Sequence, residues 1–157
     1  MEAGLSTLGI TFGYGVETEA GKKPTSFKAL HRINEIGEIN LDPNTIDASA
    51  LEDFITRTIE GRADTGGTCP ITVNLTSETE AEWNAVISEQ AKLSGGKRIW
   101  WETIVPGMDN AFFFVAQVPK KIPQPSFAQN GLLTVAMNLT IDEYVGLDAK
   151  VDFEAAA

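Results

Sequence analysis

Few residues in this chain could carry chemistry. His31 is the only histidine and Cys69 the only cysteine, so a nucleophilic triad would have to use His31 with Cys69 or a serine. His31 falls in an alternating run from Phe27 to Ile33, where a structural or surface histidine is the simpler reading, and nothing local sets Cys69 beside it. A structural zinc site needs about four Cys or His ligands, more than the chain has. Gly13-Tyr14-Gly15 has Thr18 where a dinucleotide loop needs its third glycine. Gly21-Lys22 has Val16 where a phosphate loop needs its first glycine, and Lys23 in place of the magnesium-binding hydroxyl. The strongest candidate is Asp64-Thr65-Gly66, the triplet of aspartic proteases, in which two copies would share a proton across a dimer. There the triplet ends an apolar strand, whereas here Gly61-Arg62-Ala63 lead into it. Asp64 therefore reads as an exposed loop residue, and a protease built on it is the remote alternative. The expectation is a chain with no catalytic, cofactor or metal residues.

Composition narrows the classes further. A chain of 157 residues with 43% apolar content has room for one domain with a real core. Twenty-two acids against 12 bases leave a net charge of −10, which opposes binding to a phosphate backbone and suits nucleic acid that must pass without sticking. A lone cysteine cannot form an intrachain disulfide and fits a reducing compartment. The opening Met1-Glu2-Ala3-Gly4 is unlike a secretion signal, and the apolar run from Ala111 to Ala116 is far too short to span a bilayer. A soluble protein, kept inside a cell until assembly or lysis, is expected. Asn74-Leu75-Thr76 and Asn138-Leu139-Thr140 match the glycosylation pattern, but both fall inside expected strands.

The elements that position these residues are mostly strands. Residues 1–25 read as a glycine-rich arm with a short strand at Ile10 to Tyr14. Phe27 to Ile33 reads as a strand, with Ile36, Ile39 and Leu41 continuing after a break near Gly37, and Asp42-Pro43-Asn44-Thr45 as a turn. Asp47 or Ser49 is expected to cap a helical turn through Leu51, followed by a strand over Phe54 to Ile59 and a loop over Gly61 to Thr68. Ile71, Val73 and Leu75 alternate with polar residues. Ser77 and Glu80 match a capping box opening one helix, with Trp83, Val86, Ile87 and Ala91 at helical spacing and Gly95-Gly96 as its stop. Leu133 to Ile141 alternates as a one-sided strand, and Asp142 to Ala157 reads as an acidic tail.

The hairpin from Lys97 to Val118 is unusual. Trp100 and Trp101, then Phe112, Phe113 and Phe114, place large apolar residues on both alternation faces of two strands separated by Pro106-Gly107. Each ring left exposed forfeits roughly 4–6 kcal/mol as an upper bound. Either the domain covers both faces itself or a partner covers one. The expected architecture is a mainly-β sandwich or barrel with one flanking α-helix.

The order of elements, with Ile46 to Asp53, Asp64-Thr65-Gly66-Gly67, the strand ending in Ser77, the Trp-containing helix and the aromatic hairpin, resembles the major tail tube proteins of long-tailed bacteriophages and phage-tail-like bacteriocins. The likeness runs from about Gly9 to Asp142. It implies a structural, non-enzymatic subunit of a virion tail, assembled in the host cytoplasm into hexameric rings that stack as a hollow tube. DNA, or ions in a bacteriocin, would pass through it without specific binding. It implies a single domain with arms at 1–25 and 143–157, and an acidic inter-ring loop at 41–68 carrying Asp42, Asp47, Glu52, Asp53 and Asp64. It further implies a subunit interface at Trp100, Trp101, Phe112, Phe113 and Phe114. Lumen acids are expected at Glu35, Glu38, Glu102 and Asp142. The implied partners are copies of the chain, a tape measure protein, terminator and tip proteins, and a sheath if the tail contracts; no membrane is among them. An acidic cytosolic β-sandwich binding module is the alternative.

Overall fold

The structure, a computed structural model, describes residues 8–40, 42–52, 54–55, 58–64 and 67–154. Nine strands and one helix occur among them: β1 (Thr11–Val16), β2 (Lys28–Leu30), β3 (Ile33–Ile36), β4 (Asp42–Asp47), β5 (Thr58–Asp64), β6 (Thr68–Asn74), α1 (Ser77–Ala91), β7 (Ile99–Ile104), β8 (Asn110–Gln117) and β9 (Thr134–Ala149). Seven strands form one antiparallel sheet in the order β2-β1-β7-β8-β9-β6-β3. The two ends of that order, β2 and β3, are joined through His31 and Arg32 alone, so Leu30 and Ile33 lie no more than about 11 Å apart. The sheet must therefore curl back on itself as a barrel with a seam. Arg32, at a φ of 59°, makes the corner.

Strand β9 provides most of the curvature. Its first half pairs with β6 from Thr134 to Thr140, and its second half with β8 from Thr140 to Ala149. Register shifts against Phe113/Phe114 and Val115/Ala116 leave Val145 and Asp142 as extra residues on β9. Such bulges bend the strand and increase its twist. Inside, Val135, Met137 and Leu139 from β9 meet Ile71 and Val73 from β6 and Phe12 and Tyr14 from β1.

Helix α1 closes the barrel by inserting Trp83 and Val86. Its N-cap is Thr76, whose hydroxyl accepts from the Thr79 amide while the Thr79 hydroxyl accepts from the Thr76 amide. The box thus sits one residue before the expected Ser77 and Glu80. Thr79 is buried and also bonds the Asn74 carbonyl, whereas Glu80 remains in water. At the far end, the Gln90 side-chain amide pairs with both the N–H and the C=O of Val118, at 2.6 and 2.8 Å, tying the helix to the end of β8.

Other expectations shift. β1 lies between β2 and β7 with Phe12 and Tyr14 buried, so residues 11–16 belong to the sheet and not to an arm. The Phe27 run is interrupted at His31 and Arg32 as well as at the expected Gly37, where β3 has ended at Ile36. Asp42 to Asp47 is a strand instead of a turn, with Pro43 tolerated because β4 has an open edge. No helical turn follows Asp47 or Ser49 among the described residues; the strand expected from Phe54 begins at Thr58, and residues expected to loop complete it to Asp64. Residues 142–149, expected as tail, complete β9.

Candidate functional site

The catalytic candidates His31 and Cys69 each have other partners. The His31 ring nitrogen Nδ1 lies 2.5 Å from Glu82 Oε1, and the His31 amide donates to the other oxygen of that carboxylate at 3.0 Å. Histidine here links the barrel corner to α1. Cys69 is fully buried on β6; its thiol donates to the Gly37 carbonyl at 3.4 Å, and burial pushes it up to about 11. A thiol so far from ionisation is a packing group. It should stay unmodified by a thiol-specific disulfide reagent at about pH 8 in the folded chain and react fully after unfolding; rapid native labelling would contradict its burial. Asp64 ends a strand after all, but in the separate two-stranded β4–β5 hairpin, paired with Asp42. Among the described residues no group of three His, Cys, Asp or Glu side chains could hold a metal ion, and no helix is long and apolar enough to cross a membrane.

The aromatic hairpin shows how the two-faced problem is solved. The Pro106-Gly107 turn closes with the Met108 amide on the Val105 carbonyl, Gly107 at a φ of 89°. On the inner face Trp101 stacks on Phe12 at 5.6 Å, Trp83 at 5.8 Å and Phe114 at 6.4 Å. On the outer face Trp100, Phe113, Ala111 and Val115 form a second cluster with Phe27. Its cover comes from the chain itself. Segment 150–154 lies across it with Val151 and Phe153 packed down, and Lys23 holds its ammonium 4.0 Å above the Phe113 ring. Of the two alternatives the sequence leaves open, the first applies: both faces are covered by the chain itself. Of the expected interface residues, Trp100, Trp101, Phe113 and Phe114 are buried, and Phe112 is half-buried at a cavity.

Two carboxylates are buried with this cluster, neither marked by local sequence. Glu17 accepts from the Trp100 indole at 2.8 Å, the Arg98 amide at 2.7 Å and the Arg98 guanidinium at 3.4 Å. Glu102, expected to face a lumen, is instead completely buried beneath segment 150–154. The other proposed lumen acids, Glu35, Glu38 and Asp142, are exposed.

Among the described residues, two open surfaces stand out. A cavity of about 860 Å³ lies at the seam, lined by Phe12, Leu30, Ile33, Ile36, Phe112 and Tyr144 among others. Between β4 and β5, Leu51, Phe54 and Ile55 stand fully or largely in solvent beside the exposed Glu52. A two-stranded hairpin outside the main sheet is marginally stable in water by itself. Of the acids expected in the inter-ring loop, Asp42 and Asp47 lie on β4 and Asp64 on β5, Glu52 sits at the tip, and Asp53 lies outside the described residues.

These features define a mainly-β protein, a seamed antiparallel barrel with a helix at its flank and a separate two-stranded hairpin. A solved structure shares the fold: one chain of the anti-feeding prophage baseplate, determined by cryo-electron microscopy with 6-fold symmetrisation. It matches with a TM-score of 0.52 at 7% identity, over 91% of this chain and 95% of that one. No protein-family profile and no curated protein matches the sequence.

Proposed function

We propose that the chain is a structural subunit of a phage-tail-like particle, one that assembles into six-membered rings stacked as a hollow tube. The observation that carries this reading is the fold shared, nearly end to end, with a chain of a six-fold symmetrised prophage baseplate. The separate hairpin adds support: three large apolar side chains in water mark a contact surface, and a hairpin outside the main sheet suits a bridge between successive rings. A lumen edged with carboxylates such as Glu35, Glu38 and Asp142 would repel phosphates, so DNA slides without sticking. Tape measure, terminator and tip proteins, and a sheath in a contractile particle, are the partners this role requires.

Purified protein at high concentration should show rings or tubes by negative-stain microscopy. Monomers at every concentration would sink the proposal and favour the second reading, an acidic binding module that uses the seam cavity for an apolar ligand. Replacing Leu51, Phe54 and Ile55 by serine should leave the monomer's stability within about 0.5 kcal/mol of wild type, because the three are exposed, while abolishing tubes. Tubes unaffected by the triple change would remove the hairpin from the assembly. Lysine at Glu35, Glu38 and Asp142 should preserve tubes and impair DNA passage.

A further inference from the structure

We infer that segment 150–154 is a proton-sensitive strap over the outer face of the sheet, seated when Glu102 is protonated and loosened when Glu102 is ionised. Glu102 is flanked in register by Gly13 of β1 and Phe113 of β8. A Cβ on Gly13 would stand 2.3 Å from the Phe153 ring, so the missing side chain leaves the slot in which that ring lies, directly beside the carboxylate. The strap is fastened on either side of this slot. Before it, the Val151 amide donates to Glu102 Oε2 at 2.8 Å. After it, the Glu154 amide donates to the Phe27 carbonyl at 2.8 Å, and the Ser26 hydroxyl bonds the Glu154 carboxylate.

The weak point is the other oxygen. Glu102 Oε1 is buried and has no hydrogen-bond partner among the described residues. An ionised carboxylate with one oxygen unsatisfied is costly to keep from water, and a protonated one far less so. The charged groups that act on it are Lys23 from the segment before β2, and Lys150 and Asp152 from the strap. Lys23 is already engaged by Asp148 at 3.4 Å and by the Ala149 carbonyl. Burial pushes the Glu102 carboxyl above its ordinary range, against the opposing pull of the Val151 amide and the two lysines. A group raised in the closed state favours closure most at low pH, and that contribution fades as pH climbs through the raised value. Opening admits water to Glu102 and uncovers Trp100 and Phe113, the outer half of the aromatic ribbon. This holds whether or not the chain builds tubes.

Amide exchange by NMR on the full chain tests it, with protection expressed relative to intrinsic rates between about pH 4 and 8. Protection at Val151 and Glu154 should fall as pH rises, approaching about tenfold for each unit separating the closed and open titrations of Glu102. Protection at Val135 and Met137 in the barrel should hold steady. Glu102→Gln keeps a polar side chain that cannot ionise, and its profile at Val151 should be flat. Phe153→Ala should lower protection at Val151 and Glu154 at every pH while the barrel amides stay protected. A flat wild-type profile, a Glu102→Gln slope equal to wild type, or unchanged protection in Phe153→Ala would each overturn the strap.

Discussion

Replacing Trp101 by alanine is expected to remove roughly 3–5 kcal/mol of stability, a large part of the roughly 5–15 kcal/mol a domain of this size has. Trp101 is the hub of the barrel's aromatic stack. Phe12 from β1, Trp83 from α1 and Phe114 from β8 lie nearly parallel to it, at interplanar angles of 17°, 21° and 13°. Its indole also donates to the Ala116 carbonyl at 3.1 Å. Because the packed rings belong to three separate elements, no single shift closes the void left by truncation. The carbonyl loses its indole donor as well. Urea denaturation should show a lower midpoint with little change in slope, and Trp101→Phe should recover about half of the loss. An alanine variant within about 1 kcal/mol of wild type would mean that the stack is not the core.

Glu17→Ala is the second large effect, roughly 3–5 kcal/mol at neutral pH, because it leaves buried donors facing an empty site. The Trp100 indole and the Arg98 amide lose their acceptor, while the partly exposed guanidinium keeps Glu143 at 3.0 Å, which places the cost toward the lower end. Burial alone would raise the Glu17 carboxyl. The bonds from the Trp100 indole, the Arg98 and Gly21 amides and the Arg98 guanidinium outweigh it and hold the carboxyl below its ordinary 4.5. A depressed group contributes its stability above the ordinary value and loses it as pH falls through the folded value. The gap between wild type and Glu17→Ala in chemical denaturation should therefore narrow in acid, opposite in sign to the Glu102 effect. A gap that widens in acid would show that Glu17 is protonated in the fold.

Local signals carried a good deal of this architecture. The alternation of Val135, Met137 and Leu139, the turn at Pro106-Gly107 and the helical spacing of Trp83 and Val86 correspond to observed elements, since each is decided by residues a few positions apart. Asp42–Asp47 and the end of β5 from Gly61 to Asp64 are strand where turn and loop are expected: proline, glycine and acids there carry turn chemistry, while pairing between β4 and β5 sets the conformation. The cap lies at Thr76 and Thr79, one residue before the Ser77–Glu80 pattern, because Thr79, with no acidic group to signal it, is the residue that becomes buried and bonds back to the chain.

The sequence by itself determined a mainly-β chain with one helix, an acidic surface and a hairpin too apolar for water on either face. Periodicity and composition encode those properties within short windows. Only the tertiary structure decided what lies over the hairpin and which acids leave the surface. The Trp100 bond to Glu17 spans 83 positions, the Val151 bond to Glu102 spans 49, and the Ser26 bond to Glu154 spans 128. No local pattern records contacts at such separations. They follow from how the sheet closes, which brings β1, β7 and segment 150–154 to one place.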